Sequence, residues 1–331
     1  MARVTIADIA READVSMMTV SRAINNKEGL SEETRARILQ IVNRLGYRPN
    51  TIARGLVTKR TATLGLVVPD NANPFFSELA RGVEHTAYTE GYNVFLCNTE
   101  EDKDRELTVL QSLSEKLVDG VIVCSSRLPD DALEDALSFY DAKILINRFL
   151  QNQSSACLCI DDINGGRMAV NHLIDSGHKA IGFIAGPTNS FSGQQRFKGY
   201  KSALENTRIP YNPDWVKHCL PMVKAGFAAT RELLSQNKEI TALFCYNDLV
   251  AVGALKACAE LGHKVPDDIA IVGFDDIMLA SLVTPSLTTC RVPRYEMGVQ
   301  AAKMLLEQVN GQMIRNNELS EPELIIRSSA P

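Results

Sequence analysis

Two hydrophobic rhythms divide the chain. Between residues 5 and 46, apolar residues recur every three or four positions, the period of short amphipathic helices. From residue 63 onward, short continuous apolar runs alternate with longer amphipathic stretches. In the first part, Thr5 is a fitting N-cap with Asp8 three residues on, and Ile6, Ile9, Ala10 and Ala13 share one face. Asp14-Val15 marks a tight turn, Asp being tolerant of the left-handed conformation. Ser16 caps a second helix running to about Asn25, in which Val20, Ala23 and Ile24 face inward and Met17, Met18, Ser21, Arg22 and Asn25 outward. The small Ala10 and Ala13 permit the close crossing that a helix-turn-helix requires. Ser31 opens a third helix with Glu32 and Glu33 near its positive end. Ile38, Leu39, Ile41, Val42 and Leu45 form its apolar face, and Gly46 is its stop.

Beyond residue 61 the apolar runs read as strands buried on both faces: Thr63–Val68, Asn93–Cys97, Gly120–Cys124, Lys143–Ile146, Cys157–Ile160, Ala180–Ala185, Thr241–Cys245, Ile269–Gly273, Leu287–Val292 and Leu324–Ile326. Helical stretches such as Phe75–Thr89, Lys103–Leu117, Asn164–Ser176, Arg196–Glu205 and Leu249–Leu261 intervene. This alternation predicts an α/β body of two doubly wound lobes. Asp70, Cys124, Asn147, Asn247 and Asp275 fall at strand ends, where ligands bind in open α/β sheets.

Charge sharpens the division. Residues 1–60 hold eleven Lys/Arg against six Asp/Glu, a net of +5, which leaves −10 for residues 61–331 in a chain of net −5. A basic head on an acidic body suits a polyanionic partner for the head alone. Nothing in the pattern argues for catalysis or a cofactor: the five His are scattered, and no HExxH, Walker loop or strand-borne GxGxxG is present. Gly165-Gly166 reads as the opening of a helix rather than a phosphate cradle. Most of the eight Cys lie in apolar segments, as small core residues do. Cys157 and Cys159 are expected on opposite faces of their strand, unsuited to a shared metal. No secretory leader or long apolar span is visible, which points to a reducing cytoplasm.

Between head and body, Pro49 breaks the third helix and Asn50 can cap a short new one reaching about Val57. Gly55 and the β-branched residues make that helix intrinsically poor, so a flexible basic tether is the competing reading.

The chain resembles the LacI/GalR family of transcriptional regulators from Val4 to about Ser329. The resemblance rests on Thr-Val-Ser-Arg at 19–22, Leu-Gly-Tyr-Arg-Pro-Asn at 45–50, Ala-Arg-Gly-Leu at 53–56, Asn-Pro-Phe-Phe at 73–76 and Gly-Phe-Asp-Asp at 273–276. It implies a DNA-binding domain at 1–48, a hinge helix at 49–61 and an effector-binding, dimerising body at 62–331. That body would have the periplasmic-binding-protein type I topology, with one lobe at about 62–161 and 292–320 and the other at about 162–289 and 321–329. It further implies that the hinge helix folds on operator DNA beside its dimer mate. Asn50, Ala53 and Leu56 would then enter the minor groove, Leu56 as a wedge between base steps. In the recognition helix, Met17 and Met18 would reach base edges and Arg22 a guanine, while Thr5, Ser16, Thr19, Ser21 and Asn25 fix register on phosphates.

For the body, the resemblance makes Arg196, within Gln-Gln-Arg-Phe-Lys-Gly-Tyr, the ligand-anchoring arginine. Asp275 and Asn247 match positions that hydrogen-bond the ligand, and Phe75 a stacking position. Asp70, Asn147, Arg148 and Ser192 complete the candidate set. Asn147 stands where the family often has aspartate, and with Arg148 beside it the reading leans toward an anionic sugar acid or sugar phosphate over a plain sugar. A homodimer on a palindromic operator, acting as a repressor, is the expectation, and no leucine-heptad tail of the tetrameric members is present. Two alternatives compete: the same DNA function under a protein corepressor, and a solute-binding receptor with no DNA role.

Overall fold

The computed structural model describes residues 4–47, 60–150, 155–314 and 317–331. It divides into two units, Met1–Thr61 and Ala62–Pro331. Asn50, Ala53 and Leu56, and with them the expected hinge helix, lie outside the described residues.

The first unit holds three helices, α1 (Ile6–Ala13), α2 (Met17–Ile24) and α3 (Glu32–Leu45). Thr5 and Asp8 form a capping box: the Thr5 hydroxyl accepts from the Asp8 N–H, and the Asp8 carboxylate accepts from the Thr5 N–H at 2.9 Å. Asp14 ends α1 in the left-handed region at φ 51°, turning the chain into the Ser16 cap of α2. Gly46 ends α3 the same way at φ 62°. Ile9, Ala10, Ala13, Val20, Ala23 and Ile38 close one small core. Leu39 departs from the expected inward face and is exposed, because it lies one position, about a quarter turn, past buried Ile38. Two arginines of α3 tie the other helices down. Arg37 donates to the Ala13 carbonyl at 3.2 Å, and Arg35 to those of Ala23 at 3.3 Å and Lys27 at 2.8 Å.

The second unit is built on two six-stranded sheets. The first contains β1 (Thr63–Val68), β2 (Asn93–Asn98), β3 (Gly120–Cys124), β4 (Lys143–Ile146), β5 (Ala156–Ile160) and β11 (Asn317–Ser320), in the order β11-β5-β4-β3-β1-β2 and all parallel. The second contains β6 (Ile181–Ala185), β7 (Val216–His218), β8 (Ala242–Cys245), β9 (Ala270–Asp275), β10 (Thr288–Arg291) and β12 (Glu323–Ile325), in the order β12-β10-β9-β8-β6-β7. Only β12 runs antiparallel to its neighbour. The chain passes between the sheets after β5, after β10 and after β11.

Helices cover the sheets: α4 (Pro74–Thr89), α5 (Lys103–Glu115), α6 (Asp130–Leu137), α7 (Asp162–Asp175), α8 (Phe191–Asn206), α9 (Val223–Gln236), α10 (Asp248–Leu261), α11 (Met278–Leu282) and α12 (Arg294–Val309). Inner strands such as β3, β5, β6 and β8 are buried throughout, as their apolar runs require. The edge strand β2 is instead largely exposed.

Gly165 and Gly166 lie buried within the first turns of α7, where α8 crosses it. A Cβ at Gly166 would sit 2.6 Å from the Arg196 carbonyl oxygen. One expectation is corrected outright. The sulfurs of Cys157 and Cys159 are 3.7 Å apart, because residues two apart on a strand share a face. Among the described residues no group of three or more His, Cys, Asp or Glu is placed to hold an ion.

Candidate functional site

In the helical unit, the outward surface of α2 carries Met17 and Met18, 57% and 66% exposed, together with exposed Arg22. Two large apolar side chains left in water on so small a domain mark a contact surface. Arg22 makes no ion pair among the described residues, unlike Arg44, which pairs with Glu12 at 2.6 Å. The other polar candidates hold the backbone. Thr5 caps α1, and its hydroxyl also lies 2.7 Å from the Asp8 carboxylate. Ser16 caps α2, accepting from the Thr19 N–H at 3.1 Å, and its hydroxyl meets that of Thr19 at 2.8 Å. The Asn25 amide donates to the Ser21 carbonyl at 2.8 Å. These groups fix how Met17, Met18 and Arg22 are presented.

In the body, residues just past the strand ends of both sheets line one narrow cleft. From the first lobe come Asn73, Phe75 and Phe76 at the start of α4, Glu101 past β2, Ser125 and Arg127 past β3, and Asn147 past β4. From the second come Ser192 and Arg196 of α8, Pro221 past β7, Tyr246 and Asn247 past β8, and Asp275 at the end of β9. The backbone is forced at these ends. Glu101 (φ 61°), Ser125 (φ 48°), Asn147 (φ 51°) and Asp275 (φ 112°) all occupy positive φ without being glycine. Such residues cost on the order of 1–3 kcal/mol each and collect at ligand sites.

Arg196 is the centre of the second lobe's wall and is almost fully buried. Its Nε donates to Asp162 at 2.8 Å, one Nη to the Tyr246 carbonyl, and the other lies 3.6 Å from Asp275. The guanidinium is stacked over Phe274, 3.6 Å from the ring centre. Burial opposes its charge, but Asp162, Asp275 and Tyr246 outweigh this and raise its pKa. Asp275 is pushed up to about 6, by burial first, with Arg196 and Arg294 pulling down and Asp162 pushing up. Asn247 caps α10 through the Val250 N–H at 2.9 Å. Ser192, Ser190 and Tyr246 join hydroxyls at 3.0 to 3.2 Å. Phe75 meets Phe76 edge-on at 5.0 Å.

Of the expected effector residues, Phe75, Asn147, Ser192, Arg196, Asn247 and Asp275 come together here. Asp70 and Arg148 do not line the cleft. Asp70 accepts from the Ala72 N–H at 3.0 Å, closing its own turn. Arg148 reaches the Leu128 carbonyl at 2.9 Å and Asp130 at 2.6 Å, so it brings no positive charge to a ligand. Glu101, Arg127 and Tyr246 were absent from the sequence reading. Their signal is position, in the loops one to four residues beyond predicted strand ends.

Two family models match the chain: bacterial regulatory proteins of the lacI family over residues 5–50, and periplasmic binding proteins and sugar binding domain of the LacI family over residues 61–327. The HTH-type transcriptional repressor PurR of Haemophilus influenzae is 35% identical, covering 98% of each chain. A structure of the Lac repressor dimer bound to operator and the anti-inducer ONPF is similar at TM-score 0.88 and 26% identity, covering 99% of each chain. A complex of the transcriptional regulator CelR with cellobiose is similar at TM-score 0.75 and 30% identity, covering 99% of this chain and 100% of that one.

Proposed function

The chain belongs to the LacI family of DNA-binding transcriptional repressors, and from this we propose that it represses transcription as a homodimer on a palindromic operator, under control of a small hydroxyl-rich effector held in the interlobe cleft. The observation that carries the effector half is the meeting of Arg196, Asp275, Asn247 and Phe75, from four separate elements, on one cleft. Together they supply a guanidinium fork, a carboxylate, an amide and an aromatic face, the groups a polyol needs for both its hydroxyls and its apolar ring face. Relatives caught with cellobiose and with ribose support the same ligand chemistry.

On the DNA side, Met18 offers apolar contact to thymine methyls and Arg22 a bidentate guanine contact, with Met17 beside them. Thr5, Ser16, Thr19 and Asn25 lie at or near the ends of α1 and α2, and Ser21 lies within α2 one turn before Asn25; all are suited to phosphates that set register. Asn50, Ala53 and Leu56 are assigned the minor groove. A cleft of this composition favours a small molecule over a protein corepressor as the controlling partner. The chain is read as a regulator without catalytic activity that works in the cytoplasm; no helix among the described residues is long and apolar enough to cross a membrane.

A thermal-shift screen of the full-length protein against neutral sugars, sugar acids, sugar phosphates and nucleobases tests the effector. A ligand at 100 times its Kd adds about 2.7 kcal/mol of stability. A clear rise in Tm with a hydroxyl-rich compound is expected. Silence across the panel, with stabilisation by a candidate corepressor protein instead, would overturn this reading.

A further inference from the structure

Arg127 is the second buried arginine of the cleft, and it is held by Glu101. Its Nε donates to Glu101 Oε2 at 2.5 Å, its Nη1 to the Ser125 carbonyl at 2.8 Å, and its backbone N–H to Glu106 at 2.9 Å. The Arg127 and Glu101 side chains are only 2% and 8% exposed. The other carboxylate oxygen of Glu101, Oε1, is buried with no hydrogen-bond partner among the described residues, and so is Asn147 Oδ1. Both residues line the cleft. A buried acceptor left without a donor costs free energy, and two on one cleft mark where the donors of a ligand belong.

The cations are in the opposite condition. Arg127 is matched by Glu101, and Arg196 by Asp162 and Asp275. A carboxylate or phosphate entering the cleft would find both guanidiniums already compensated and the carboxylate of Glu101 on the cleft wall. Burying such a charge without a partner is strongly unfavourable.

We propose that Glu101 is a specificity-determining residue of the effector cleft: it neutralises Arg127 and turns Oε1 to the ligand, admitting a neutral, hydroxyl-rich compound and rejecting carboxylate or phosphate forms of it. This deepens the effector reading and rests on it. The discrimination works by repulsion as well as attraction, since the same carboxylate accepts a hydroxyl proton and opposes an anion. It also reverses the lean toward anionic ligands that Asn147 and Arg148 suggest in the sequence.

The test is calorimetric titration of the full-length protein and of Glu101→Gln with inorganic phosphate, glucose 6-phosphate, gluconate and glucose. The wild type is expected to bind none of the three anions. Glu101→Gln removes the carboxylate bound to the Arg127 guanidinium and is expected to gain at least tenfold in affinity for phosphate or an anionic sugar. In the double variant Glu101→Gln/Arg127→Gln that gain disappears. Sub-millimolar binding of an anion by the wild type overturns the proposal, and this arm decides alone if Glu101→Gln does not fold. Unchanged anion affinity in a folded Glu101→Gln overturns it as well. If the gain appears and is lost in the double variant while no neutral compound of the thermal-shift panel binds, the hydroxyl-rich effector reading fails and only the exclusion of anions by Glu101 stands.

Discussion

Asp275 is the residue whose protonation should be felt in ligand binding. Its folded-state pKa of about 6 lies above the ordinary carboxylate value of 3.8. The folded protein therefore keeps a proton that the unfolded chain releases between about pH 4 and 6. This group favours folding at the acid end of that window, and the contribution is lost as pH rises through about 6. A ligand whose hydroxyl donates to the ionised carboxylate follows the opposite course. Its affinity should fall as pH drops from 7 to 5, approaching tenfold per unit below about 6, and Asp275→Asn should flatten the profile. Titrations at several pH values check this; an identical slope in Asp275→Asn would assign the dependence to another group. Single residues were unevenly legible in the sequence. Asn247 and Asp275 stand at strand ends legible in the apolar pattern, whereas Arg196 lies within a helix and was singled out by the family resemblance. Glu101 and Arg127 lie in loops with no periodicity, and only the fold brings them within 2.5 Å of each other. Neighbours in sequence diverge past a strand end: Asn147 lines the cleft while Arg148 turns to Asp130, a difference the sequence does not write.

At the scale of elements, the helix crossing between α7 and α8 aims Arg196 into the cleft. The crossing is close enough that only glycine fits at Gly166, where a side chain would meet the backbone of Arg196 itself. Gly166→Ala is expected to destabilise the body by about 1–3 kcal/mol, the usual range for overpacking. Because α8 must shift, effector affinity should fall further than the same loss of stability placed elsewhere would cause. Chemical denaturation alongside ligand titration separates the two effects; a normal affinity in a destabilised variant would show that the crossing does not position Arg196. The inner strands were legible because burial on both faces writes a continuous apolar run. The edge strands Val216–His218 and Asn317–Ser320 were not, since their short polar sequences carry no such run. Caps were legible in the helical unit, at Thr5, Ser16 and Ser31, but not at Ser190, where the helix that begins at Phe191 is expected from the pattern only at Arg196.

The whole molecule couples two chemistries that one chain keeps apart by charge. A basic helical unit presents Met17, Met18 and Arg22, and an acidic body closes two lobes over a cleft rich in hydrogen-bond acceptors. Three strand connections join the lobes beside one cleft, an arrangement suited to a ligand that favours one closure over another. A regulator follows when that closure alters how a pair of recognition helices spans two half-sites. The division of labour was legible from hydrophobic period and charge, whereas the selectivity of the cleft required its geometry.

The claim on which all of this depends is sequence-specific reading of a two-fold DNA site by paired recognition helices. Selection of binding sites from a random duplex pool by the purified full-length protein measures it directly. Enrichment of an inverted repeat is expected, with Arg22→Ala relaxing preference at one position in each half-site at a cost of about 1–3 kcal/mol per contact. Recovery of no common sequence, or of a single asymmetric site unaffected by Arg22→Ala, would contradict it.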